Sequence, residues 1–156
     1  LLLGTAYLVG ALSGARDMLR PLDSVCAACK ADTQQPAGPA FSRIKDLAEL
    51  EQRLATADGK TVMLDFYADW CVSCKEMERF TFSDSAVQAR LKSAIVLQAD
   101  VTANSAADKA LLKRFGLYGP PGILFFDAKG REMSDFRVVG YQNTEQFLNT
   151  LQQVGL

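Results

Sequence analysis

The chain has 156 residues, 17 Lys and Arg against 18 Asp and Glu, and no histidine. A formal net charge of -1 lacks the basic footprint of a nucleic-acid binder. The absence of histidine excludes His-ligated metals, haem attachment through Cys-x-x-Cys-His, and Cys–His or Ser–His nucleophiles, which leaves thiols, carboxylates, lysines and backbone to carry any chemistry.

Leu1 to Leu12 is almost wholly apolar and stops before Arg16, Asp17 and Arg20. A bilayer needs about 20 apolar residues. Residues 1–20 are therefore expected to be the end of a truncated membrane helix with its exit segment. A signal-peptide remnant or a plain apolar tail are the other readings. The start at Leu1, not Met, fits a fragment or a processed product. Residues 21–40 read as a linker, interrupted by Pro21, Pro36, Gly38 and Pro39. Cys26 and Cys29 lie in it, with no strand before them and no flanking aromatic. They read as an incidental local disulfide or free thiols before they read as an auxiliary redox pair.

The folded domain is expected over residues 41–156. Phe41 to Ile44 is a candidate edge strand. Asp46 followed by Glu49 is a capping-box-like pattern ahead of Leu47, Leu50 and Leu54, with Gly59 ending the helix. Thr61 to Tyr67 predicts the first core strand, and Cys71 to Phe80 a helix. Ser83-Asp84 caps a second short helix carrying Val87 and Leu91. Ala94 to Val101 predicts a buried strand. Asn104-Ser105 starts a helix through Leu111, Leu112 and Phe115, ended by Gly116. Gly122 to Phe126 is a strand, Asp127 to Gly130 a hairpin turn, and Phe136 to Val139 the returning strand. Asn143 starts a last helix with Phe147, Leu148 and Leu151. A βαβ half followed by a ββα half predicts an α/β mixed sheet with helices on both faces.

Between the first core strand and its helix stands Trp70-Cys71-Val72-Ser73-Cys74-Lys75. A Cys-x-x-Cys pair alone could be a structural disulfide, a metal knuckle or a redox pair. Here the first sulfur falls at the positive end of a helix dipole, which favours thiolate over thiol. The spacing puts both sulfurs on one helix face, in reach of a small disulfide ring. A dithiol–disulfide exchanger is the leading reading. A zinc site built from both cysteine pairs is the lesser one, because the pairs lie in unlike contexts.

Three blocks now resemble a thioredoxin fold: the core strand, the Cys-x-x-Cys turn, and Gly119-Pro120-Pro121 before Gly122-Ile123-Leu124-Phe125-Phe126. Leu64 to Glu76, Thr81-Phe82-Ser83-Asp84, Asp100 to Asn104 and Ile123 to Asp127 resemble more narrowly the C-terminal periplasmic domain of the DsbD family of thiol:disulfide interchange proteins. That resemblance implies a periplasmic protein-disulfide reductase domain of a bacterial inner-membrane protein. Electrons would come from cytoplasmic thioredoxin, with NADPH upstream, through the protein's own membrane electron-carrier domain. They would leave to its own N-terminal periplasmic domain, which serves disulfide isomerases and cytochrome c maturation. No small-molecule cofactor is implied beyond the disulfide itself, and no phosphate-binding glycine loop is present. A monomeric, membrane-tethered domain is expected. An oxidase or isomerase on the same fold is the alternative, since direction depends on reduction potential. A redox-inert zinc module is less favoured.

In this reading Cys71 is the attacking thiolate and Cys74 the resolving thiol, one exposed and one shielded. Asp65 stands out because burying a charge in so apolar a run is costly. It resembles the buried acid that serves proton transfer for the resolving cysteine; an edge-strand surface residue is the bland reading. Glu78 follows Cys74 by four residues and resembles a second acid near the site. Glu76 and Lys75 read as solvated helix residues. Trp70 is expected to cover one side of the pair, or to be a core aromatic. Pro121 looks like the cis-proline of this fold, beside which an incoming polypeptide pairs. The chain departs from the family pattern at Pro120, which has no N–H to donate, and at Gly122, where threonine is common.

Overall fold

The computed structural model describes residues 38–156. The expected membrane-helix end, nearly all of the expected linker, and Cys26 and Cys29 lie outside the described residues. Elements follow in the order β1 (Ser42–Ile44), α1 (Leu47–Ala55), β2 (Val62–Tyr67), α2 (Val72–Glu76), a π-helical turn (Met77–Thr81), α3 (Ser85–Leu91), β3 (Ile95–Asp100), α4 (Ala106–Arg114), β4 (Gly122–Phe126), a 3-10 turn (Ser134–Phe136), β5 (Val138–Val139) and α5 (Thr144–Gln153). The five strands form one mixed sheet in the order β1-β3-β2-β4-β5. β1, β3 and β2 run parallel, while β4 is antiparallel to both β2 and β5.

Strand β2 is central and buried along its whole length. Its alternation sorts the two cores. Val62, Leu64 and Phe66 pack with Leu50 of α1 and Leu111 of α4. Met63 packs with Met77, with Val87 and Leu91 of α3, and with Phe147 and Leu151 of α5. Edge-to-face rings reinforce each side, Phe66 on Phe115 and Phe82 on Phe147. Asp65 has the parity of Met63, so it belongs to the face covered by the π-helical turn, α3 and α5.

The helix ends follow local chemistry. The Asp46 side chain accepts from the Glu49 N–H at 2.9 Å, while Glu49 accepts from the Lys45 N–H at 3.0 Å, one residue before the cap. Ser105 and Asn143 each close a reciprocal capping box, with Asp108 and Gln146. Three boundaries differ from expectation. Helix α1 ends at Ala55, not at Gly59, because the Thr56 hydroxyl turns back onto the Gln52 carbonyl at 2.9 Å. The helix after Cys71 is α-helical only to Glu76 and widens into the π-helical turn that carries Glu78. The returning strand is only Val138–Val139, because Phe136 is taken into a 3-10 turn.

Gly122, at the start of β4, pairs in register with Phe66 near the end of β2. A Cβ on Gly122 would lie 2.9 Å from Leu117 Cδ1, so the Leu117 side chain fills the place of a larger residue. Gly122→Ala is expected to destabilise by about 1–2 kcal/mol through overpacking. Adding Leu117→Ala should make the two changes less than additive in urea unfolding, and strict additivity would disprove this packing exchange.

Candidate active site

Cys71 leaves the C-terminal end of β2 through the loop Ala68-Asp69-Trp70 and serves as N-cap of α2. Its Sγ accepts from the Cys74 N–H at 3.2 Å. Cys71 and Cys74 are joined by a disulfide, with their Cα atoms 5.3 Å apart. Cys71 is 5% exposed and Cys74 4%. The expected contrast between an exposed and a shielded cysteine is therefore absent in the oxidised state. The disulfide sulfur of Cys74 lies 3.9 Å from the Phe66 carbonyl oxygen, at the end of the central strand.

Antiparallel pairing brings the loop before β4 to the sheet end where Cys71 emerges. The Pro120–Pro121 peptide bond in this loop is cis, as expected at Pro121. The Pro121 carbonyl accepts from the Gly140 N–H at 3.1 Å, continuing the β4–β5 pairing. Tyr118, two residues before Pro120, is fully exposed, and Val72 beside Cys71 is also exposed. Sequence reasoning passed over both. Tyr118 lies in a loop and Val72 opens a five-residue helix, both too short of regular structure to carry a periodic signal.

Trp70 is 60% exposed, which excludes the core-aromatic reading. Its indole N–H donates to the Thr102 carbonyl at 3.3 Å. The Asp69 N–H donates to Thr102 Oγ1 at 2.9 Å. Thr102 in turn donates its hydroxyl to Asp100 Oδ1, and Arg43 of β1 donates to Asp100 Oδ2. Burial would raise the Asp100 carboxyl, but the Thr102 hydrogen bonds and the Arg43 charge hold it below its usual value. One chain of charge-assisted hydrogen bonds thus anchors the turn that delivers Cys71.

Asp65 is 4% exposed in the central strand, not on an edge, so the surface reading is corrected. Burial pushes its carboxyl up to about 7; a hydrogen bond from Gln98 opposes the rise and the charge of Glu78 adds to it. Gln98 Nε2 donates to Asp65 Oδ2 at 3.1 Å. Glu78, half-buried on the π-helical turn, is also raised, chiefly by burial. The Gln98 hydrogen bond and the charges of Arg43 and Lys75 restrain it, while Asp69 adds to it. The structure thus brings Asp65 and Glu78 together around a residue that sequence reasoning missed. The signal was present: Gln98 interrupts Ile95-Val96-Leu97 and Ala99 as Asp65 interrupts its own run. Among the described residues no cluster of metal-ligating side chains occurs.

A disulfide that caps its own helix, on a sheet of this order with a cis-proline loop at the same end, defines the class of thioredoxin-fold dithiol–disulfide domains. The thioredoxin-like domain profile matches residues 48–155. Curated relatives include the thiol:disulfide interchange protein DsbD of Ralstonia nicotianae, 51% identical over 97% of this chain and 25% of that protein. The DsbD of Yersinia enterocolitica is 55% identical over 74% of this chain and 20% of that protein. The chain thus spans about a quarter or less of the curated relatives it matches. Among solved structures, the oxidised C-terminal domain of Neisseria meningitidis DsbD is 36% identical, with a TM-score of 0.62, covering 72% of this chain and 98% of that one. Its reduced form gives a TM-score of 0.57 at the same identity, over 68% of this chain and 90% of that one. The chain belongs to the thioredoxin-like domain family and, within it, to the DsbD C-terminal domains.

Proposed function

We propose that this domain is a periplasmic protein-disulfide reductase that relays electron pairs between protein partners. The observation that carries the reading is the Cys71–Cys74 disulfide capping α2 at the end of a strand whose buried acid, Asp65, is poised near neutrality. Reduction and oxidation of this pair is the cycle. In the reduced domain the Cys71 thiolate attacks one sulfur of a partner disulfide. The partner's other sulfur leaves as thiolate, and a mixed disulfide forms at Cys71. Cys74 then gives its proton to the Asp65 carboxylate and attacks Cys71 Sγ. The second partner sulfur leaves, the Cys71–Cys74 disulfide closes, and two electrons have passed to the partner. An upstream dithiol reverses these steps to reload the domain.

Trp70, Val72 and Tyr118, with the Pro120–Pro121 loop, form the docking rim for the partner polypeptide. The missing N–H at Pro120 leaves this loop to accept hydrogen bonds from the partner and not to donate at that residue. Residues 41–156 are the catalytic unit. The resemblance to the DsbD family supports placing the domain between a membrane electron carrier fed by thioredoxin and an N-terminal periplasmic domain of the same protein; the relatives' names support the thiol:disulfide interchange itself. The test is the reduction potential of Cys71/Cys74 against a glutathione series. A reductase should lie well below about -200 mV. A value near about -120 mV, typical of a strong oxidant, would overturn the direction proposed.

A further inference from the structure

We propose that Gln98 is a positioning residue of this site: its side-chain amide holds the Asp65 carboxyl in place, so that the acid keeps its partner whether charged or neutral. The proposal deepens the reductase reading and rests on it. Gln98 and Asp65 are register partners on the adjacent parallel strands β3 and β2, so their side chains project from the same face. The Nε2–Oδ2 distance is 3.1 Å, and Gln98 is 3% exposed. An amide buried to this degree is unfavourable unless its hydrogen bonds are made. Its partner here is the acid itself. Glu78, on the π-helical turn, acts on Asp65 through its charge.

An amide suits this place because it is both donor and acceptor. It can donate to an ionised carboxylate and accept from a protonated one. The charged groups acting on the pair are few. Asp65 feels Glu78; Glu78 feels Arg43 from β1, Lys75 from α2, and Asp69 from the loop before α2. Asp65 is sealed from solvent, whereas Glu78 lines an open cavity of about 220 Å3 with Gly38, Pro39, Phe41 and Phe82. A proton released by the Cys74 thiol passes to the Asp65 carboxylate, which Gln98 holds in place. Cys74 remains as thiolate, and no electron moves in this transfer.

The test uses the 156-residue chain in its oxidised state and follows the Asp65 and Glu78 side-chain carboxyl carbons by NMR across pH. Gln98→Met keeps length and shape but removes both donor and acceptor. It should move the Asp65 midpoint up by about one pH unit, a tenfold change in proton affinity. An unmoved Asp65 midpoint in a folded Gln98→Met overturns the proposal. If that variant does not fold, the Gln98 side-chain amide signals of the unaltered chain decide. They should titrate with the Asp65 midpoint, and signals that ignore it overturn the proposal. Disulfide exchange by the unaltered chain is assayed separately, so failure of the reductase reading shows there and not in the titration.

Discussion

Replacing Cys71 by serine should abolish disulfide exchange, while replacing Cys74 by serine should leave the first attack intact and trap a partner on Cys71. The asymmetry follows from position. Cys71 caps α2, and its sulfur already accepts the Cys74 N–H at 3.2 Å, a contact that favours negative charge on that sulfur. Cys74 lies one turn into the helix, against the Phe66 carbonyl, which can accept from a thiol but offers a thiolate no donor. Non-reducing gels of the two variants, mixed with an oxidised partner domain, would separate the roles. Accumulation of the adduct on the Cys71→Ser form and not on the Cys74→Ser form would reverse the assignment. The two cysteines are almost equally buried in the oxidised state, so exposure alone does not tell their roles apart.

Asp65→Asn should stabilise the folded domain strongly at alkaline pH and much less in acid. The folded carboxyl titrates near 7 against an ordinary value of 3.8. Between those values the native state holds a proton that the unfolded chain has released. The stability contributed by the protonated acid is complete below about pH 3.8 and is lost as pH rises through about 7. A shift of about three pH units corresponds to about 4 kcal/mol at pH 8, all of it removed from the balance by the neutral amide. Urea unfolding of both forms at pH 5 and pH 8 checks this. A stability gap that does not widen between the two pH values would refute the buried-acid account. The same charge logic reaches the thiols, because carboxylates near a sulfur disfavour thiolate. Asp65→Asn combined with Glu78→Gln should therefore speed alkylation of reduced Cys71 at neutral pH.

Much of this site was legible in the sequence because it breaks patterns. Asp65 is the one charge in Val62 to Tyr67, and the cysteines open a helix directly after that run. Both signals survive without knowledge of any neighbour. Gln98 breaks its strand in the same way, yet a neutral amide is less costly to bury than a charge and reads as an ordinary outward position. Its meaning depends on the register that sets it beside Asp65. Thr102 was illegible for a different reason. It holds Trp70 through a backbone carbonyl, and every residue has one. The π-helical turn also left no trace in side-chain spacing. It re-aims Glu78 and leaves Phe80 exposed. The short β5 was overestimated because Phe136 continues an apolar run that the 3-10 turn interrupts.

Three of the hydrogen bonds that organise the site share one property, namely where they sit along the chain. Asp69 to Thr102, Trp70 to Thr102 and Asp65 to Gln98 span 33, 32 and 33 residues, and all cross the seam between β2 and β3. The segment that joins those strands contains α2 with its two cysteines. A chain emerging during synthesis therefore carries the thiols before it owns the site. Until β3 lies beside β2, the acid has no amide, the indole no anchor, and the sulfurs are ordinary. Parallel pairing closes late because it demands a long loop first. Catalytic competence thus arrives together with the native topology.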